Sequence, residues 1–512
     1  MTIVIEIEGG SRSRTMNRTS RSRRNSSKVP TSATYTSLDL FSGAGGFSLG
    51  LEAAGFTSMG AIEIDEQAGK TYAKNFGDRA IAMFGRRDGD MKRVSPALVL
   101  QKLKAAGVAE LDLLVAAPPC QGFSRVGRGK LDSIAEEAGA FILDPRNHLY
   151  RQAVEMLKVL KPRVFLFENV AGMLHVRGRN IAELVCAAVE GAGYRTRVAV
   201  LNSAWYGVPQ SRERVIIVGT RSDLGVEPQF PSRRHSVRIS RGNLSQCNLA
   251  ADIWRTPEYF VPFTKLRQSG ELLPAVTVGD AFADLPRFLE HLRALRTGGQ
   301  YRPRRETMPA VPYRCDAPNW YCRLMREWPS LPASAELTDH YCRWTPRDFD
   351  TFGLMKFGDR YCEALEIAEG RYRQARSEYD ANGGRRPLRR EYIPPYPNDA
   401  FDEKWRKLDP SQPSHTITAH LGKDTYSHIH PSSREKRAIT IREAARLQSF
   451  PDAFAFEGNM GEVLVQIGNA VPPLLARAIG RRLRRMLGAA EAAEEGAKEF
   501  AAHRPRRSAS GM

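Results

Sequence analysis

Residues 39–50 read DLFSGAGGFSLG, and they decide the fold. A short apolar run, TSLDLF, stops at a turn holding Gly43, Gly45 and Gly46, and FSLGLEAAG continues as a helix ended by Gly55. Glycines let the backbone turn into the left-handed region and approach a ligand closely. A strand, a Gly-rich turn and a helix in that order form the first unit of a nucleotide-binding crevice. The match to the dinucleotide fingerprint is imperfect, because Ser48 stands where the third glycine would be. A turn that merely joins two elements is the plainer reading of the glycines alone. Glu63 changes the balance. It ends the next apolar run, SMGAIEI, about twenty residues on, where a carboxylate can accept hydrogen bonds from both ribose hydroxyls.

Outward from that turn the α/β rhythm continues. LDLLVAAPP and RVFLFENV read as buried strands, as do YRTRVAVLN and RVIIVGT. LYRQAVEMLKVLKP, closed by Pro162, and IAELVCAAVEGAG carry helical periodicity. Alternation of this kind predicts an α/β, doubly wound Rossmann-like sheet with helices on both faces. Residues 1–34 have many basic residues and little apolar content, and read as a disordered basic arm. The rhythm runs over residues 35–222. Residues 223–435, rich in Pro, Arg and aromatics, read as a separate, smaller domain. Compact helical patterning returns over 436–488, and 489–512 read as a frayed helix and tail.

Composition narrows the function. The chain has 512 residues and 76 Lys and Arg against 57 Asp and Glu, a formal charge of +19. That surplus favours a polyanionic partner, since each phosphate neutralised releases a counterion. No apolar run approaches bilayer-spanning length, and no membrane role is expected. An odd count of seven cysteines points to a reducing compartment rather than a disulfide scaffold. Cys315, Cys322, Cys342 and Cys362, with His340, lack the paired spacing of structural zinc knuckles. They are read as separately buried thiols, with no metal.

Three further stretches carry chemistry. In APPCQGFS, Cys120 follows a buried strand and two stiffening prolines, which aims its thiol at the crevice mouth. A buried structural cysteine is the usual alternative. In FENV, Glu168 and Asn169 follow another strand, where a carboxylate beside a thiol suits proton transfer, unless it is an ordinary surface glutamate. In PQSRERVIIVG, Gln210, Arg212 and Arg214 alternate, as if sharing one face of a strand fit for an anion or a base edge.

These blocks together resemble the bacterial-type DNA (cytosine-5) methyltransferases. DLFSGAGGFSLGLEAAGF, PPCQGFS, ENV and QSRERVIIVG stand in that family's order, followed after a long variable stretch by RAITIREAARLQSFPD and QIGNAVPPLLARAIG. The resemblance spans residue 36 to about 488. It implies methyl transfer from S-adenosyl-L-methionine to carbon 5 of a flipped-out cytosine in a specific duplex sequence. Cys120 would be the nucleophile, Glu168 the acid at ring nitrogen 3, and Arg214, with Arg212 nearby, would hold the base. The Pro119 carbonyl would receive the exocyclic amine.

For the cofactor it implies Phe41 and Ile64 against the adenine and Ala44, Gly45 and Gly46 at the methionine part. Glu63 would hold the ribose, Asp90 and Met91 the adenine edge, and Leu149 with Asn469–Ala470 would complete the pocket. Residues 121–147, with Gln121, Ser124, Arg125, Arg128 and Lys130, would form a lid on DNA. Residues 223–435 would recognise the target, with Thr416, in SHTITAH, at a phosphate. Double-stranded DNA is the expected partner. A cognate restriction endonuclease, a monomeric state and a place in the bacterial cytoplasm at the nucleoid are also expected. The competing readings are a tRNA cytosine-5 methyltransferase of the same fold, a catalytically inactive DNA-binding protein, and a nucleotide-dependent oxidoreductase. Ala116 and Ala117 depart from the glycine many members carry before PPC.

Overall fold

A computed structural model of the chain describes residues 34–119, 149–176, 179–237, 254–288, 305, 308–394 and 404–502. The basic arm, except Thr34, and the expected lid lie outside them. Seven strands form the central sheet: β1 (Tyr35–Leu40), β2 (Phe56–Glu63), β3 (Ile81–Phe84), β4 (Leu113–Ala116), β5 (Val164–Val170), β6 (Tyr194–Asn202) and β7 (Glu213–Arg221). Their order is β3-β2-β1-β4-β5-β7-β6. β1 pairs in parallel with both β2 and β4, and β7 runs antiparallel to both β5 and β6. The rhythm of the sequence predicts the sheet but not this reversal. Its cause is the short connection of residues 203–212, too short for the helical crossover that parallel neighbours need. β3 is missed in the sequence because a four-residue edge strand offers too little pattern to read.

Helices α1 (Gly46–Glu52), α2 (Glu66–Phe76), α3 (Pro96–Ala105), α4 (Leu149–Leu160) and α5 (Ile181–Glu190) connect the strands. Asp65 starts α2 by accepting the Ala68 N–H at 2.8 Å. Lys161, at φ 47°, ends α4 just before Pro162, as the sequence predicts. The strands are apolar on both faces, and Leu38, Leu40, Leu113–Ala116 and Val164–Leu166 are fully buried, as a covered sheet requires.

The sequence boundaries at Ser222 and Glu435 do not seal a second lobe, and from Tyr35 onward the described residues form one unit. A second core joins three stretches of chain. Leu49, Tyr72 and Phe76 come from the first, and Val278, Ala281, Tyr321, Met325, Leu337 and Ile417 from the variable region. Ile441, Leu447, Phe450, Val463 and Ile467 come from the third. The helices around it are α6 (Val278–Phe282), α7 (Trp320–Arg326), α9 (Ile441–Leu447) and α10 (Met460–Asn469); α8 (Tyr361–Asn382) lies over a third, smaller core with Phe352, Trp405 and Tyr426. A short helix, Phe349–Leu354, precedes α8, and Gly358 (φ 84°) lies between the two.

The last helix, α11 (Pro473–Ala502), corrects the expected tail at 489. It places Leu475, Ile479, Leu483 and Leu487 in the sheet core, one face of a 3.6-residue repeat. It also persists past residue 488. Ala490 is buried, and Glu491 accepts the Tyr35 hydroxyl at 2.7 Å and pairs with Arg163 at 2.6 Å. The Ala- and Glu-rich sequence looks like fraying because these partners lie far away along the chain. α1 packs along α11 so closely that a Cβ on Gly46 would sit 2.4 Å from the Val471 carbonyl. One on Gly50 would sit 2.3 Å from that of Pro473.

Candidate active site

The strand order reverses between β1 and β4, so a crevice opens at their carboxyl ends. The turn after β1 supplies one wall. Phe41 has φ 59°, rare for a bulky residue, and Gly45 heads α1 at φ 93°. The Phe41 N–H holds the turn to the Ile62 carbonyl at 2.9 Å. Glu63 ends β2 beside it, and its two carboxylate oxygens accept the N–H groups of Gly43 and Asp65, each at 2.8 Å. Burial pushes the Glu63 carboxyl up, opposed by those backbone donors. Each oxygen keeps a lone pair for a diol. Ile64, next along, is 48% exposed, an apolar surface open at the crevice.

Gly89 lies against the Glu63 backbone, which brings Asp90 and the buried Met91 to the same wall. Ala44 is buried under the turn. The α1–α11 contact brings the end of α10 to it, with Ala470 buried and Asn469 exposed. Leu149 starts α4 and is half-buried. An exposed apolar plate, a carboxylate with free lone pairs and a left-handed turn fit a nucleoside cofactor.

The second wall is the proline turn after β4. Pro119 is exposed; Cys120, Gln121 and Ser124 lie outside the described residues. The Asn169 amide, at the end of β5, donates to the Pro118 carbonyl at 3.1 Å. Beside it Glu168 is buried and accepts the Arg214 Nε–H at 2.9 Å. Burial pushes the Glu168 carboxyl up, and the charges of Arg214 and Arg212 oppose that shift. The result is an acid held next to a cation at the foot of the proline turn.

The structure separates the three residues expected on one strand face. β7 starts at Glu213, so Gln210 and Arg212 lie in the loop before it, and both are buried. The Arg212 guanidinium donates to the carbonyls of Ile417 and of Gly468, the latter at 2.9 Å. Gln210 donates to Leu447 and Gln448 and accepts the Ile417 N–H at 2.9 Å. Both are therefore staples joining the loop before β7 to the second core, while Arg214 pairs with Glu168. Thr416 belongs to the same staple, since its hydroxyl donates to the Ser211 carbonyl at 2.8 Å.

Three residues that hold the site escape sequence reading. Gln448 donates to the Ile467 and Ala470 carbonyls at 2.9 and 2.6 Å, so it fixes the Asn469–Ala470 turn. Ser48, in place of the third glycine, donates to buried Asp39 at 2.9 Å and accepts the Tyr72 hydroxyl at 3.1 Å. Asn169 stood in view beside Glu168, but its role depends on a partner across the sheet. Only the Gly-to-Ser departure at Ser48 offered a signal. Of the four clustered cysteines, Cys322 and Cys342 are buried and Cys315 and Cys362 exposed, so the expectation of four buried thiols is half corrected.

A sheet with one reversed strand, a nucleoside crevice at its switch point and an acid–cation pair beside it define a Rossmann-like methyltransferase. A model of the family described as C-5 cytosine-specific DNA methylase matches residues 35–269 and 348–485. The chain belongs to that family, and it is a DNA cytosine-5 methyltransferase. M.OihORF3336P of Oceanobacillus iheyensis is 35% identical over 459 residues, covering 88% of this chain and 95% of that one. The type II methyltransferase M.AgeI of Thalassovita gelatinovora is 30% identical over 479 residues, covering 87% and 98%. A prophage-encoded Escherichia coli protein of known crystal structure shares the fold with a TM-score of 0.57 at 22% identity, covering 88% of this chain and 99% of that one.

Proposed function

We propose that the chain methylates carbon 5 of a cytosine turned out of a specific duplex DNA sequence, through a transient bond from Cys120 to carbon 6. The observation that carries this reading is the buried Glu168–Arg214 pair, tied through Asn169 to Pro118, two residues before Cys120 in the sequence. S-Adenosyl-L-methionine, held by Phe41, the turn from Ala44 to Gly46, Glu63, Ile64, Asp90 and Met91, supplies an electrophilic methyl group. Leu149 and Asn469–Ala470 close the pocket.

The chain's own residues make carbon 5 a nucleophile. The Cys120 thiolate adds to carbon 6. Glu168, whose carboxyl burial pushes up, gives a proton to ring nitrogen 3, which leaves an enamine at carbon 5. Arg214 holds the base carbonyl, and the Pro119 carbonyl receives the exocyclic amine. After carbon 5 has gained its methyl group, a base removes its proton, the thiolate leaves and Glu168 recovers its proton. Turning the base out costs roughly a few kcal/mol, offset by these contacts. Gln121 and Ser124 belong to the segment that covers the base, and residues 223–435 carry the recognition of the sequence. Thr416 contributes by positioning the loop before β7. The enzyme acts as a monomer in the bacterial cytoplasm, functionally paired with a restriction endonuclease of the same specificity.

Cys120→Ala should bind the cofactor with unchanged affinity and leave DNA unmethylated; activity above a few per cent of the parent would remove Cys120 from the chemistry. Bisulfite sequencing of DNA from cells expressing the parent enzyme reads the modified position and the target sequence together.

A further inference from the structure

The positive surplus is not spread evenly. Many arginines are buried and paired. Arg437 meets Glu435 and Glu443, Arg446 meets Asp284 and Asp452, and Arg163 meets Asp112 and Glu491. One face of α11 is the opposite case. From Pro473 to Ala490 the helix carries Arg477, Arg481, Arg482, Arg484 and Arg485 and no acid. Arg477, Arg481 and Arg485 recur every four residues, on one line of the helix. They are offset by two residues from the buried line of Leu475, Ile479, Leu483 and Leu487; Arg481 and Arg485 are exposed, and Arg477 is half-buried against Trp328.

Arg234, on the strand Arg233–Ser236, lies close enough to Arg477 and Arg481 to repel them, and Arg267 does the same to Arg482. Among the described residues none of these six, Arg234, Arg267, Arg477, Arg481, Arg482 and Arg485, has a carboxylate in ion-pair range. Their other contacts are neutral, Arg477 over the Trp328 ring at 5.6 Å and Arg482 on the Gln229 amide. Arg234, Arg267, Arg481 and Arg485 are exposed.

Like charges gathered from three segments oppose folding unless an anion offsets them. We infer that this arginine face of α11, with Arg234 and Arg267, is a docking surface for the phosphate backbone of duplex DNA outside the recognised sequence. The helix rise puts successive arginines of the line about 6 Å apart. The line begins about 9 Å along the helix from the Gly46–Val471 contact and ends about 21 Å from it. The DNA footprint therefore extends down the flank of the catalytic lobe. Burial first, and repulsion from Arg481 and Arg234 after it, pull Arg477 down to about 10.

The test uses the full-length enzyme and a fluorescein-labelled random-sequence duplex of about 40 base pairs, read by anisotropy across a salt series. Because no methyl transfer is measured, failure here is distinct from failure of the Cys120 mechanism. The triple variant Arg234→Gln, Arg481→Gln, Arg485→Gln should bind about tenfold more weakly at 0.1 M salt. Its slope of log affinity against log salt should be shallower by two to three, at roughly 0.9 per phosphate contact. The corresponding triple Lys variant should keep the parent slope. An unchanged slope in the Gln variant, or an equal loss in the Lys variant, would overturn the assignment.

Discussion

Asp39 lies two residues before the left-handed Phe41 turn, fully buried, with Ser48 on one oxygen and no hydrogen-bond partner on the other. Burial pushes its carboxyl up to about 7, and the charge of Glu63 adds to that. A carboxyl that holds its proton more tightly folded than unfolded stabilises fully below its ordinary value near 4, and that share is lost as pH rises through about 7. Asp39→Asn keeps an acceptor for Ser48 without the titration. Its melting temperature relative to the parent should therefore rise by a few degrees between pH 5 and pH 8. A gap that stays constant over that range would deny the buried charge. At Glu168 the same physics serves catalysis. Glu168→Gln cannot deliver a proton, so kcat should fall by about 10²–10⁴ while cofactor affinity is kept. A cofactor titration beside single-turnover methylation separates the two.

Among the elements, α1 and α11 join the two ends of the chain. Gly50→Ala forces a methyl against the Pro473 carbonyl and Ala476 and should cost about 1–3 kcal/mol, read as a lower midpoint in urea. Truncation after residue 470 should abolish cofactor binding. How much of this the sequence shows depends on range. β1, its glycine turn, Glu63 and Glu168 are legible because strand, turn and side chain lie within a few residues of one another. The reversal of β7 is not, since it follows from which strands become neighbours. Arg212 and Gln210 look like reading groups in sequence, yet become staples in space, because their carbonyl and amide partners lie over two hundred residues away. The α11 boundary fails for the same reason at Glu491.

Across the whole molecule, the shared second core changes what a domain exchange can do. Arg446 and Arg442 are buried in the C-terminal stretch, but Asp284 and Asp339, which they meet, belong to the variable region. A swap of residues 223–435 that loses these acids leaves Arg442 without its carboxylate and Arg446 with Asp452 alone in a dry interior. Breaking one such pair costs about 3–5 kcal/mol. Asp284→Asn alone should lower stability by that order and leave the modified sequence unaltered where protein survives. A chimera that retains Asp284 and Asp339 should fold and take the donor's target sequence, and soluble yield with bisulfite sequencing scores both. The Gly46–Val471 contact also has a consequence in time. The backbone at Val471 that packs on the cradle of Phe41 to Gly46 is made roughly four hundred residues after it. A product terminated before Val471 lacks the backbone that packs on Gly46 and should be inert.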